Sequence, residues 1–169
     1  MSASGLVLLT PALDDRFGDI RGAHDPAARQ GMPAHATVLY PFMDPKLITP
    51  QRRSRLAEVI AGAGRLELTF ARLGRFPEAL WLAPQPTEPL IALTRAIAAA
   101  FPDYPPYGGQ FETVIPHVTL AMGEGLDLGG LEPEVRRRLS PAIVQSVESV
   151  SLFTTVQRRW REIDRFALA

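Results

Sequence analysis

The chain contains 169 residues, with 18 basic and 18 acidic side chains, no cysteine and a hydrophobic content of 46%. A chain of this length forms one domain, or two small lobes that share a core, without a metal or disulfide to hold it. The lack of cysteine excludes disulfide scaffolds, cysteine nucleophiles and thiolate zinc sites, and the balanced charge argues against a grip on long nucleic acid.

The first residues, MSASGLVLLTPALDD, lack the basic start and the long apolar run of a secretory signal. The apolar stretches of the sequence are shorter than the roughly 18 residues that cross a bilayer. We therefore expect a cytoplasmic protein without membrane contact.

The first half of the chain mixes strand and helix patterns. Strands are predicted over 5–10, 35–42, 65–73 and 79–84, from short apolar runs or from alternation of apolar and polar residues. Apolar residues at helical spacing predict helices over 13–20 and 52–62. The segment GAHDPAARQGMP, which contains His24, reads as a loop, and residues 74–78 read as a turn between two strands.

The second half of the chain also mixes strand and helix patterns. A helix is predicted from about Glu88 to Phe101, then a loop rich in proline, tyrosine and glycine, a strand from His117 to Met122 and a short helix near 131–139. Two long strands, 143–156 and 159–168, end the chain. The irregular order and the short connections favour the α+β class with largely antiparallel sheets.

Two of the three histidines stand in the same short pattern. HATV begins at His35, and HVTL begins at His117, about eighty residues later. Because side chains at i and i+2 share one face of a strand, each segment presents an imidazole beside a threonine hydroxyl, with apolar residues behind them. A lone histidine on a strand is usually structural, but a repeated His-x-Thr-apolar tetrad on two strands indicates a built site.

The chemistry of such a pair is specific. The ordinary pKa of histidine, near 6.5, allows one ring to be neutral while the other is protonated. One ring can then accept a proton from an attacking hydroxyl or water while the other donates one to a leaving oxygen. Threonine hydroxyls can donate hydrogen bonds to anionic oxygens between the rings. The pattern therefore favours cleavage of a phosphodiester.

The paired tetrads, their spacing, the opening apolar strand and the C-terminal strand pair resemble the two-histidine (2H) phosphoesterase superfamily, which includes proteins called 2′-5′ RNA ligases and cyclic nucleotide phosphodiesterases. The resemblance implies a single bilobal α+β domain over residues 1–169. In such a domain two largely antiparallel sheets, with helices on the outside, flank a central cleft that receives one tetrad from each lobe.

The resemblance also implies roles for single residues. His35 and His117 would be the acid/base pair, and Thr37 and Thr119 would bind phosphate oxygens. The implied reaction is metal-independent and needs no cofactor. Its substrate would be a 2′,3′-cyclic phosphate or a 2′-5′ phosphodiester of a nucleotide or RNA end. We expect a monomer without an obligate protein partner.

Three further residues are candidate substrate contacts. Tyr40 follows the first tetrad and Tyr107 lies in the loop before the second, where either ring could stack on a base. Arg75, in the turn between two strands, could add positive charge to the cleft. Two other functions stay open at this point: a module that binds a nucleotide or RNA end without turnover, and a metallohydrolase, which would need ligands beyond the two histidines.

Overall fold

The computed structural model describes residues 2–169. These residues form five α-helices and eight strands in mixed order. The helices are α1 (Pro11–His24), α2 (Pro26–Arg29), α3 (Pro50–Ala61), α4 (Glu88–Ala100) and α5 (Leu128–Arg138). The strands are β1 (Ser4–Leu9), β2 (His35–Phe42), β3 (Leu66–Phe76), β4 (Ala79–Gln85), β5 (Val118–Met122), β6 (Ile143–Val147), β7 (Ser149–Val156) and β8 (Arg159–Ala167). Short 3₁₀ turns occupy Pro45–Leu47 and Pro106–Gly109.

Local sequence explains how most of these elements begin and turn. A proline lies in the first turn of α1, α2, α3 and α4, where its fixed φ suits a helix and its missing N–H costs nothing. The hairpin between β7 and β8 turns at Gln157 and Arg158, which both have positive φ, as a tight two-residue hairpin turn requires.

All strands pair antiparallel in one eight-stranded sheet of order β6-β3-β4-β5-β2-β1-β7-β8. The sheet consists of a first half-sheet (β2, β1, β7 and β8) and a second half-sheet (β3, β4, β5 and β6). A single residue pair, Ala36 with Val118, joins the two half-sheets at the β2–β5 seam. The predicted α+β class with antiparallel pairing is confirmed, and the two expected sheets are the halves of one continuous sheet.

The helices cover one face of this sheet and cross between its halves. Apolar residues of α1, α3, α4 and α5 share one buried core with inward residues of the strands, among them Leu8, Val38, Leu82 and Val118. Helix α1 packs against β5 and β6, α4 packs against β2, and α3 packs against β8. On the opposite face, the short helix α2 and the 3₁₀ turn Pro106–Gly109 lie at the edge of the seam, where Ala27 and Tyr107 line a cavity. None of the helices in residues 2–169 is long and apolar enough to cross a membrane.

Three local predictions were wrong. The long strand predicted over 143–156 is two strands, because the chain leaves the second half-sheet at Glu148 and pairs with β1 in the first. His24 is the last residue of α1 rather than a loop residue. Strand β3 continues to Phe76, so that Arg75 lies in a strand and only Pro77 and Glu78 form the turn.

Candidate active site

The two motif segments meet at the seam, and their histidines lie on the face opposite the helical core. Ala36 and Val118 are fully buried and face the helical core, so their neighbours along each strand face the other way. Continuing the Ala36–Val118 register places His35 opposite Thr119 and Thr37 opposite His117. The seam therefore sets the two tetrads side by side at the centre of the sheet.

Each imidazole is oriented by the same short hydrogen bond. Nδ1 of His35 lies 2.8 Å from the carbonyl oxygen of Pro33, and Nδ1 of His117 lies 2.7 Å from that of Ile115. A carbonyl can only accept, so each Nδ1 carries the proton, and Nε2 of the neutral ring is left as a free acceptor. Both rings thus offer Nε2 for proton transfer in the same tautomer.

Burial makes both rings harder to protonate. It lowers the pKa of His35 from 6.5 to about 4, an effect that the hydrogen bond to Pro33 opposes. It also lowers the pKa of His117, again against a backbone hydrogen bond, here to Ile115. The shift is larger at His35. A neutral ring is therefore favoured at both positions, and most strongly at His35.

Thr37 and Thr119 are both half-buried. Thr37 lines a cavity beside His35, whereas Thr119 pairs with Trp81 of β4 and lies outside the lining of the two cleft cavities. No side-chain hydrogen bond within residues 2–169 engages either hydroxyl. Both hydroxyls can therefore donate to an anion at the seam.

Two apolar cavities flank the histidines. The cavity beside His35 has a volume of about 150 Å³, and the cavity beside His117 has a volume of about 440 Å³. Their aromatic lining residues are Tyr40, Phe153 and Trp160 for the first cavity, Phe76 and Phe111 for the second, and Tyr107 for both. Among the residues described, neither cavity is lined by lysine or arginine.

The candidate substrate contacts are placed differently from one another. Tyr40 and Tyr107 line the cavities, and Tyr107 takes the left-handed conformation, with φ of 52°. Burial raises the pKa of the Tyr107 phenol, which keeps it neutral. The structure does not bring Arg75 to this group. Arg75 and Phe76 are adjacent in β3 and so point to opposite faces of the sheet; Phe76 lines the cavity beside His117. The Arg75 guanidinium forms an ion pair with Glu132 at 3.1 Å.

Sequence reasoning missed the remaining aromatic walls. The ring of Phe76 lies 5.1 Å from that of His117, and the ring of Trp81 lies 5.8 Å away, both edge to face. Gly74 pairs with Trp81 across β3 and β4, and a β-carbon at Gly74 would collide with the indole. The ring of Trp160, in the last hairpin, packs edge to face on the ring of Tyr40, with 6.2 Å between the ring centroids. These residues lie far from both tetrads in sequence, and only the strand pairing brings them to the site.

No group of three or more histidine, cysteine, aspartate or glutamate side chains within residues 2–169 is placed to share one metal ion. Any metal at the seam would have to be held by the two imidazoles with ligands from outside this set.

The sequence-family model of the 2′-5′ RNA ligase superfamily matches residues 9–159. The chain belongs to the 2′-5′ RNA ligase superfamily. The resemblance to 2H phosphoesterases is thereby confirmed, and membership of the 2′-5′ RNA ligase superfamily supports a phosphoesterase activity. A comparison with curated protein sequences finds no match.

Several solved structures share the fold. LigT of Escherichia coli in complex with 3′-AMP is 18% identical, with a TM-score of 0.62 over 99% of this chain and 98% of that one. LigT in complex with NADP+ has the same identity and coverage, with a TM-score of 0.59. TT0787 of Thermus thermophilus is 14% identical, with a TM-score of 0.64 over 99% and 98% of the two chains.

Proposed function

We propose that this protein is a metal-independent phosphoesterase that cleaves a 2′,3′-cyclic phosphate or a 2′-5′ phosphodiester of a nucleotide or RNA end. The observation that carries the proposal is the matched pair of imidazoles. Each donates Nδ1–H to a carbonyl two residues earlier, lies beside a free threonine hydroxyl and offers Nε2 at the seam. Acid–base cleavage of a phosphodiester needs two such proton carriers on opposite sides of one phosphorus.

His35 is proposed as the base and His117 as the acid. The more strongly depressed pKa keeps His35 neutral, so its Nε2 can take the proton from an attacking water. The water oxygen bonds to phosphorus, the ribose oxygen leaves, and Nε2–H of His117 protonates it. A bound phosphodiester anion raises the pKa of a neighbouring imidazole, so substrate supplies the condition for protonating His117. Solvent then returns the proton from one ring to the other.

The phosphate itself would be held between the two halves. Thr37 and Thr119 would donate hydrogen bonds to its non-bridging oxygens, and these bonds would strengthen as negative charge builds up on the phosphorus centre. Because no lysine or arginine within residues 2–169 lines either cavity, a diester with one negative charge suits the cleft better than a phosphomonoester or polyphosphate. LigT, which shares the fold, has been solved in complexes with 3′-AMP and with NADP+.

The two cavities favour a phosphodiester that carries an organic group on each side. Stacking of a base on an aromatic side chain is worth about 1–3 kcal/mol and tolerates any base. Tyr40, Tyr107 and Trp160 offer such surfaces beside His35, and Phe76 and Phe111 offer them beside His117. The volumes of about 150 and 440 Å³ assign the larger group to the His117 side.

The experiment is hydrolysis of the four nucleoside 2′,3′-cyclic monophosphates and of 2′-5′-linked dinucleotides, with EDTA present. The proteins are wild type, H35A, H117A and the matched control H24A, which removes the histidine at the end of α1, outside both cavity linings. We expect wild type and H24A to turn over substrate and each cleft variant to lose about 10²- to 10⁴-fold in kcat. Activity that EDTA abolishes would instead indicate a metallohydrolase, and binding without turnover would indicate a binding module.

A further inference from the structure

A largely buried ion cluster lies on α1 and its C-cap, next to residues 32–34, which lead into the strand that carries His35. Arg21 is 2% exposed and Asp25 is 3% exposed. The guanidinium donates to Oδ2 of Asp25 at 2.9 Å and to Oδ1 of Asp14 at 3.1 Å. Buried charges of this kind are retained only where they are paired and hydrogen-bonded, and a well-packed apolar set would often be as stable. We therefore expect the cluster to have a role other than stabilising the fold.

The cluster holds the backbone on both sides of Pro33. Arg21 Nη2 donates to the carbonyl of Met32 at 2.9 Å, and the N–H of Ala34 donates to Oδ2 of Asp14 at 2.9 Å. Pro33 lies between these anchors and has no N–H of its own. Its only polar backbone group is the carbonyl that accepts from His35 Nδ1 at 2.8 Å. The Ala34 N–H lies in the same peptide plane as this carbonyl, so its bond to Asp14 helps to orient the carbonyl, together with the backbone bonds Thr10 N–H to Ala34 O and Met32 N–H to Ala27 O.

We propose that Asp14 and Arg21 are positioning residues for His35, which fix the Pro33 carbonyl and through it the tautomer and aim of the imidazole. This inference rests on the proposed function for its effect on turnover, but its effect on the ring stands independently. Removing a partner that orients a metal-ligating histidine through its other nitrogen typically costs about 10- to 100-fold in activity, and we expect an effect of the same order at His35.

The second half-sheet lacks an equivalent clamp. His117 donates to Ile115, which is 47% exposed, and no side chain within residues 2–169 bonds the backbone of 113, 114 or 116. The two histidines share a tautomer but differ in how firmly it is held. Perturbing the cluster should therefore alter His35 and leave His117 unchanged.

The electrostatic surroundings of His35 follow from the same cluster. The charge on Arg21 lowers the pKa of His35 and the charge on Asp25 raises it, while His117 across the seam lowers it. Asp14 reaches Ala34, one residue before the ring, and Tyr40 and Tyr107 line the same cavity. A change in the cluster should consequently shift the pH dependence of His35 as well as its geometry.

The test compares D14N and R21K with the matched control D19N. Asp14 accepts from both Arg21 and the Ala34 N–H, and D14N keeps only one side-chain oxygen, so it cannot accept from both. R21K keeps the charge without the fork that reaches three partners. Asp19 is also on α1 and also pairs with an arginine, Arg138 at 2.7 Å, but away from His35. Side-chain ¹⁵N NMR reports the tautomer and titration of each histidine, and kinetics on the preferred substrate report kcat and KM.

We expect wild type and D19N to hold both rings as the Nδ1–H tautomer. In D14N and R21K the tautomer of His35 should become mixed and its titration should shift, with His117 unchanged. The kcat of D14N should fall about 10- to 100-fold and its KM should change less than about threefold.

An unchanged His35 spectrum in folded D14N would overturn the proposal, as would an equal fall of kcat in D19N. Asp14 has a side chain 35% exposed, so D14N decides the matter if R21K does not fold. Because the spectra need no substrate, a protein without turnover would refute the proposed function while the positioning result stood on its own.

Discussion

The buried imidazole of His35 couples the stability of the fold to pH. Its pKa is about 4 in the folded chain and 6.5 ordinarily, so the unfolded state binds more protons between these values. The difference corresponds to about 3 kcal/mol of unfolding free energy, at about 1.4 kcal/mol for each pH unit. This contribution is fully present above pH 6.5 and is lost as the pH falls through about 4. Replacing His35 by glutamine should therefore remove one steep component of acid destabilisation.

The assay is urea unfolding followed by circular dichroism at pH 7 and at pH 4.5. Over this interval wild type should lose about 2–3 kcal/mol more than H35Q. The control is H24Q, which removes a histidine at the end of α1 and leaves the cleft intact. The reasoning would be refuted if wild type and H35Q lost the same free energy over the interval.

The remaining predictions concern the pH of turnover and the wall of the cleft. Since the base must be neutral and the acid protonated, kcat/KM should be highest between about pH 4, set by His35, and a limit below 6.5, set by His117; a maximum above pH 7 would contradict the assignment. In urea unfolding, G74A should be destabilised by about 1–3 kcal/mol because its β-carbon collides with Trp81. The control G18A, in α1 and with nothing within 4 Å, should gain about 0.5–1 kcal/mol; equal stability of the two variants would refute the packing argument.

Local alternation was enough to predict how the motif residues are arranged. The period of two along a strand placed each histidine with its threonine on one face, and the structure places them so. Helical spacing likewise predicted α1, α3 and α4 to within a few residues. These features depend on neighbours in sequence, which is why sequence alone carried them.

Features set by distant pairing were not predictable. Val147, Glu148 and Ser149 contain no glycine or proline, yet the chain changes half-sheet there because its two segments find different partners. The position of Arg75 followed from the true length of β3, which is fixed by its pairing with β4. The walls made by Phe76 and Trp160 also depend on which strands become neighbours.

The exchange of helices across the seam has a consequence for how the cleft can move. One residue pair at β2–β5 would by itself make a hinge, and a hinged cleft could close on a ligand by rotation of its halves. Helix α1, however, follows β1 of the first half-sheet and packs on β5 and β6 of the second. Helix α4 follows β4 of the second half-sheet and packs on β2 of the first. Both helices therefore connect the two half-sheets across the seam. Rotation of one half-sheet against the other would disrupt the core that both halves share. The distance between the two imidazoles is therefore fixed by the packing of the helices. Entry and exit of ligand then depend on the loop 102–116, which carries Tyr107 and Phe111 at the rim. The protein should accordingly unfold as one cooperative unit, with both proton carriers lost together.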